Sequence, residues 1–186
     1  SAQDASEESN AWVVVNEDDA VIVRVARSEM GQGTLTGLVQ LAAEELACDW
    51  SNVSWEFPSP GQSLARKRPW GSFSTGGSRG IRDSHQYVRE GGAVARELLI
   101  AAAAQTWNVP PAECSAENSL ITHLPSGKST TFGSVARLAA TLEAPTEVTL
   151  KDPLDWTIVG KPMPRLDTAD KVTGALRYGA DLKLPG

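Results

Sequence analysis

The stretch EMGQGTLTG, residues 29–37, sets glycines at 31, 33 and 37 around one glutamine, between a β-branched run and an apolar stretch of helical spacing. Glycines at such a strand-to-helix turn let a ligand come close. They can also present bare N–H groups, near the positive end of a helix dipole, to an anion or a polar ring. Gln32 adds an amide that both donates and accepts hydrogen bonds. A second stretch, STGGSRG at 74–80, repeats the arrangement: two glycines and a serine ahead of a helical run form a nest of N–H donors with a hydroxyl beside it. Two such turns in one small chain suggest a shared anionic ligand. The plainer alternatives are a tight turn in the first case and an N-cap made by Ser78 in the second.

Neither stretch completes a nucleotide fingerprint. The first spaces its glycines G-x-G-x-x-x-G, one residue too long for the dinucleotide motif, and the second lacks the GK[ST] lysine step of a P-loop. Glu56 lies where a ribose-binding acid is expected, but the alternating strand around it favours an exposed face. No catalytic residue is assigned, because His85 and His123, the only histidines, belong to no recognisable nucleophile or carboxylate spacing. Cys48 and Cys114 lack the spacing of a zinc or iron-sulfur site, so no metal is expected on the chain's own cysteines. The net charge of -6 argues against a nucleic-acid partner, and the basic cluster ARKRPW at 65–70 reads as a solvated loop. No apolar run reaches the roughly 18 residues of a membrane-spanning helix.

The elements that must position these turns read as one soluble domain of 186 residues, or one domain with a short extension, burying roughly 70% of its unfolded surface. AWVVV at 11–15 and AVIVRVA at 20–26 are paired strands across the turn NEDD. Leu35, Leu38, Val39, Ala42 and Leu46 then define a helix of three to four turns ending near Asp49, with Thr34 as its N-cap and Glu44 and Glu45 on its wet face. NVSWEF at 52–57 is a strand. Residues 58–78, with three prolines and four glycines, form a long loop of the kind that is either functional or disordered. The longest helix is expected from Arg79 to Trp107; Gly91 and Gly92 within it each cost about 1 kcal/mol, so the helix kinks there or another backbone packs closely. SLITHLPSGKSTTFG reads as two short strands around PSGK, and residues 132–142 as an amphipathic helix capped by Thr130 or Thr131. Met30 and the six tryptophans read as core and interface residues. Residues 1–10 read as a flexible leader, and the proline-rich residues after 144 as a linker ending in the first strand of something else. The fold class is α/β (α+β), a mixed sheet with covering helices.

Read together, SEMGQGTLTGLVQLAAEELACDW, STGGSRG with the long helix after it, and DWTIVGKPMPRLDTADKVTGALRYGAD resemble a known family. They are similar to the amino-terminal part of the molybdopterin-binding large (beta) subunit of isoquinoline 1-oxidoreductase-like enzymes, in the xanthine dehydrogenase and aldehyde oxidase superfamily. The resemblance implies a partial molybdopterin-binding domain over 11–144, then a linker and the start of a hammerhead-like domain over 145–186. It implies molybdenum held by a pterin dithiolene, commonly a cytosine dinucleotide in bacterial members, and hydroxylation of an N-heterocycle or aldehyde with oxygen from water. Electrons would leave through iron-sulfur clusters on a small partner subunit. Gln32 would lie against the pterin and the metal's ligands, Gly31 and Gly33 would allow close approach, and Thr75, Gly76, Gly77 and Ser78 would bind the dinucleotide region. The family's glutamate base has no counterpart here, so the chain alone is expected to be inactive and to need the remainder of the large subunit. It would be either a fragment or one piece of a divided subunit. Relatives often carry an export signal, which favours a periplasmic over a cytoplasmic location. Two other readings remain: a noncatalytic accessory module of the same fold, and a nicotinamide-dinucleotide binding domain.

Overall fold

The computed structural model describes residues 9–183. Strands β1 (Val13–Val15) and β2 (Val21–Arg24) form the expected antiparallel hairpin, turned at Asp19 in the left-handed region with φ 68°. Strand β3 (Val53–Glu56) lies parallel to β2, which requires a crossover; helix α1 (Thr34–Leu46) supplies it. The first sheet is therefore mixed, in the order β1-β2-β3. A second, antiparallel sheet of β4 (Cys114–Glu117), β5 (Leu120–His123) and β6 (Ser129–Thr131) follows. Of these, β4 escaped the sequence reading, because CSAE carries no β-branched residue.

The core lies where the valines of β1 and β2 meet α1, a long helix α4 (His85–Trp107) and α5 (Phe132–Ala139). Leu35, Leu38, Val39, Leu46, Leu99 and Phe132 are fully buried in it. Thr131 caps α5, its hydroxyl accepting from the Ser134 N–H at 3.3 Å. At Gly91 and Gly92, α4 continues as one helix and it is the close packing that holds. A Cβ on Gly92 would stand 2.4 Å from the Ala42 carbonyl oxygen, and one on Gly91 would stand 2.8 Å from Trp12 Cβ.

Several expectations need correction. The helix predicted over 79–107 is two: α3 (Arg79–Arg82) and α4, separated by Asp83 and Ser84. The loop before it contains helix α2 (Pro60–Ala65), whose Ser59 and Gln62 form a capping box, and buried Trp70 pins the loop through Nε1–H to the Ala11 carbonyl at 3.0 Å. Met30 is no core residue, being 69% exposed. Of the expected leader, residues 1–8 lie outside the described residues, whereas Ser9 is buried and Asn10 donates to the Gly91 carbonyl at 2.8 Å.

The largest correction concerns Glu44 and Glu45, which are fully buried. Residues 151–167 run along α1 as a strap, antiparallel to it. Near the helix C-terminus, Glu44 accepts from the N–H groups of Thr157 at 2.8 Å, Val159 at 3.1 Å and Ile158, and from Lys151 Nζ at 3.1 Å. Glu45 accepts from Arg89 Nε at 2.8 Å and the Lys151 N–H at 3.0 Å. Midway, Gln40 reaches the Ile158 and Lys161 carbonyls; near the N-terminus, the Leu166 N–H donates to Thr36 Oγ1 at 3.1 Å. Burial pushes the Glu44 carboxyl up, but the Ile158 and Val159 N–H groups and Lys151 outweigh it and leave it below its ordinary value. The wet-face reading failed because helical periodicity cannot distinguish solvent from a polar strap supplied by distant sequence. Beyond the strap come helix α6 (Thr168–Thr173) and a 3-10 turn at Gly179–Asp181; no strand forms among described residues 145–183.

Gly92→Ala tests the close packing of α4 on α1. Alanine gains about 1 kcal/mol of helix propensity over glycine, yet the clash is with backbone that cannot rotate away. The substitution should destabilise by about 1–3 kcal/mol net in denaturant unfolding, and a neutral or stabilising result would mean that the two helices do not meet there.

Candidate functional site

The first glycine turn joins β2 to α1. Gly31 and Gly33 take φ 99° and 82°, conformations that disfavour side chains, and Gly33 rather than Thr34 is the N-cap residue. No cap side chain serves the helix from that position. Glu29 does so from upstream: Oε1 accepts from the N–H groups of Gly31 at 2.7 Å and Gly33 at 3.1 Å, and Oε2 from that of Leu35 at 3.1 Å. Burial pushes the Glu29 carboxyl up, but the N–H groups of Gly33, Leu35 and Gly31, with the Arg165 charge, hold it below its ordinary value.

This arrangement corrects the expectation that the first turn presents bare N–H groups. Those of Gly31, Gly33 and Leu35 are spent on Glu29, whose charge already occupies the helix N-terminus. A dinucleotide diphosphate brought there would meet a carboxylate instead of donors. The candidate ribose acid is also committed, since Glu56 accepts from Arg24 Nε at 2.6 Å. Gln32, by contrast, is exposed at the tip of the turn. Its Oε1 accepts from the Met30 N–H at 2.6 Å and its Nε2 donates to the Ser28 carbonyl at 2.9 Å. These bonds fix the amide's orientation and leave one acceptor site and one N–H for a ligand.

The second turn is different. Gly77 and Ser78 take φ 58° and 55°, and the Ser78 hydroxyl makes no capping bond, contrary to the N-cap reading. Among the described residues no hydrogen bond engages the N–H groups of Gly76, Gly77 or Ser78. Gly76 fronts open space, with nothing within 4 Å of where a Cβ would stand.

Reciprocal notches bring the two turns together. A Cβ on Gly80 would lie 2.8 Å from Thr34 Cγ2, and one on Gly37 would lie 2.8 Å from Ile81 Cδ1, so α1 and α3 approach at their first turns. Upstream, the Ser28 N–H donates to Thr75 Oγ1 at 2.9 Å, while Arg27 donates to the Ser74 carbonyl and, at 2.9 Å, to Ser84 Oγ. Between the turns lies a cleft of about 420 Å³, lined by Met30, Gln32, Thr34 and residues 75–81. The sequence reading placed Gln32, Thr75, Gly76, Gly77 and Ser78 in one site, and they do line one cleft; Thr75 also ties the turns together. Gly31 and Gly33 shape the turn behind Gln32. Gly31 borders a second cleft of about 470 Å³ on the far side, where Met30 meets Trp55, Phe57, Leu176 and Tyr178.

Three residues at or beside these clefts were missed. Glu29 stands at the head of the quoted stretch and was legible there as an acid near a helix N-terminus. Arg79 adds a cation to the first cleft. Arg165 had no local signal: it donates from Nη2 to Glu29 at 3.0 Å, from Nη1 to the Gly31 carbonyl at 2.8 Å and from Nε to Asp167 at 3.1 Å. Elsewhere, His123 is held between Ser126 Oγ at 2.7 Å and Glu113 Oε2 at 2.9 Å, with its ring near Trp107. These bonds staple the β5–β6 turn to the residues before β4. Burial pushes the Cys48 thiol up to about 12, and no group of three or more His, Cys, Asp or Glu able to hold a metal occurs among the described residues.

The fold and site define a domain that offers unspent backbone donors, a hydroxyl, a cation and a fixed amide around one cleft, a donor set suited to an anionic, polar-ringed ligand. The Molybdopterin cofactor-binding domain family model matches residues 1–182, and the chain belongs to that family. It is 28% identical over 211 residues to the isoquinoline 1-oxidoreductase subunit beta of Brevundimonas diminuta, covering 95% of this chain and 27% of that protein. It is 27% identical over 189 residues to a membrane-bound aldehyde dehydrogenase [pyrroloquinoline-quinone] of Gluconacetobacter polyoxogenes, covering 98% of this chain and 23% of that one. The chain thus spans about a quarter of the length of these relatives. Among solved structures it is similar to quinoline 2-oxidoreductase from Pseudomonas putida 86, with a TM-score of 0.45 and 18% identity over 67% of this chain and 15% of that one. No helix among the described residues is long and apolar enough to cross a membrane.

The ion pairs beside the turn give a pH dependence. The hydrogen bond and charge of Arg165, with Lys171, hold buried Asp167 at about 2, below the ordinary aspartate value of about 3.9. Because the folded value is depressed, its contribution is complete above about pH 4 and is lost as pH falls toward about 2. Unfolding free energy measured against pH should decline across that window, and Asp167→Asn should flatten part of the decline while lowering stability at neutral pH.

Proposed function

We propose that the chain forms one wall of the molybdopterin site in the large subunit of a molybdenum hydroxylase. In this reading the bound group supplies the oxidation, hydroxylating a carbon of an N-heterocycle or aldehyde with oxygen from water. The chain's own residues bind and orient. Gly76, Gly77 and Ser78 donate their N–H groups to the diphosphate of a cytosine dinucleotide form, with the Ser78 hydroxyl and Arg79 beside them. Gln32, fixed by Met30 and Ser28, turns its remaining amide capacity toward the pterin and the metal's ligands, and Gly31 and Gly33 let the backbone of that turn come near. The observation that supports the reading is the contrast between the two turns: the first spends the Gly31, Gly33 and Leu35 amides on Glu29 and presents a fixed side chain, whereas no hydrogen bond engages the amides of Gly76, Gly77 and Ser78 in the second.

The substrate classes are supported by the relatives' names, one an isoquinoline oxidoreductase and the other an aldehyde dehydrogenase. The remainder of a large subunit and a small iron-sulfur subunit complete the enzyme, and the chain alone is inactive. The second relative's name specifies pyrroloquinoline quinone, so cofactor identity is the decisive measurement.

Elemental analysis and nucleotide release on the purified protein, with the masses of copurifying chains, should yield molybdenum, a pterin, cytosine nucleotide and larger partners. A quinone without molybdenum would overturn the reading. In the assembled enzyme Gln32→Ala should lower turnover or pterin occupancy by about tenfold, the scale of one lost hydrogen bond to a charged or strongly polar group. Unchanged rate and unchanged molybdenum content would remove Gln32 from the site.

A further inference from the structure

The turn that carries Gln32 is not held by its own neighbours alone. Arg165, 134 residues further along the chain, donates to the Gly31 carbonyl from one terminal nitrogen and to Glu29 Oε1 from the other. The same Glu29 oxygen receives the Gly31 and Gly33 N–H groups. The guanidinium therefore holds the turn at a carbonyl and, through Glu29, at two amides. Arg165 is itself anchored: its Nε and Nη2 form a fork on the Asp167 carboxylate at 3.1 and 3.0 Å, and Lys171 Nζ donates to the same Asp167 Oδ2 that Nη2 engages. The next residue, Leu166, is tied by its N–H to Thr36 Oγ1 in the first turns of α1. A planar five-donor group can make these contacts together, which lysine cannot.

We propose that Arg165 is a positioning residue for the Gln32 turn, clamping Glu29 and the Gly31 carbonyl so that the strap sets the wall of the cleft. The cofactor side of this inference rests on the proposed function; the clamp itself does not. Without Arg165, Glu29 is left as a mostly buried carboxylate at the helix N-terminus with no cation, and the Gly31 carbonyl loses its partner. Both glycines already occupy positive φ and resist little once released. Gln32 then samples orientations instead of holding one. The effect is local, because Arg165 is 38% exposed and touches no core residue in these bonds.

The test uses the full chain with any chains that copurify with it, as wild type, Arg165→Gln, Arg165→Lys, Glu29→Gln and the double variant. Amide hydrogen exchange is followed over residues 28–35 and, as a control, over 95–103 in α4. Arg165→Gln should speed exchange in 28–35 by about tenfold, the scale of lost charge-assisted bonds, with the control segment unchanged. Arg165→Lys should fall between, keeping charge but losing the fork. The double variant should speed exchange by less than the product of the two single effects, since the residues share the Arg165–Glu29 contact while Arg165 alone also holds the Gly31 carbonyl. Unchanged exchange in 28–35, or an equal rise in the control, would overturn the clamp. Pterin retained per chain after dilution is the second readout, and Arg165→Gln should lose it several-fold faster than wild type. A loosened turn with wild-type retention would overturn the positioning role, whereas a wild type that carries no pterin would overturn the proposed function and leave the clamp to the exchange result.

Discussion

Three carboxylates on and beside one helix govern how this chain is put together. Glu29 at the start of α1, and Glu44 and Glu45 near its end, are removed from most or all solvent. A carboxylate in such a place costs several kcal/mol unless charge and hydrogen bonds replace its water. None of the three is satisfied by its own helix alone. Glu45 takes arginines from α4, Glu44 takes three consecutive amides and a lysine from the strap, and Glu29 takes the turn it precedes together with Arg165. The strap both covers Glu44 and supplies the donors that make its burial tolerable, so helix and strap are tied by charge as well as packing. Residues that read as a linker in this sense complete the domain, although of 151–167 only Ile158 and Asp167 are themselves buried.

The second constraint is distance. Helices pack with axes about 8–10 Å apart when ordinary side chains meet, and glycine permits closer approach. Gly92 lets α4 rest on the Ala42 carbonyl, while Gly37 and Gly80 let α1 and α3 meet at their first turns. The cleft depends on the second pair, because moving α3 outward by one methyl would separate Gln32 from the unspent amides of 76–78. Gly76 faces the cleft and packs on nothing, so it is the position where a side chain would fill ligand space without disturbing the fold.

Much of this was legible locally. The NEDD hairpin and the apolar face of α1 are short-range consequences of turn chemistry and periodicity and form as read, and of the two caps read for α5 the structure takes Thr131. The glycine pair in α4 announced either a kink or a close neighbour, and only the fold could choose between them. What was not legible is non-local. Nothing within ten residues of Glu44 indicates that its partners lie at 157–159, and no periodicity marks Arg165 as the partner of Glu29. The unbroken helix over 79–107 failed for a reason that is also partly non-local: Ser84 accepts from nearby Tyr87 and from distant Arg27, which anchors the break to the neighbouring turn.

The two glycine turns look alike in sequence and differ in their hydrogen bonding for a reason that lies in one residue. Each precedes a helix, and each places N–H groups where an anion is favoured. At the first, the chain supplies its own anion, Glu29, which sits at the helix end, takes the Gly31, Gly33 and Leu35 donors and braces the turn that holds an amide side chain. At the second, the left-handed Gly77 and Ser78 expose donors that no carboxylate reaches. A site that must grip a polyanion at one end and present a neutral, oriented amide at the other needs both arrangements. In the proposed reading, a diphosphate could seat at either turn if both were open; Glu29 would disfavour the first, and Gln32 would be left for the opposite end of the ligand.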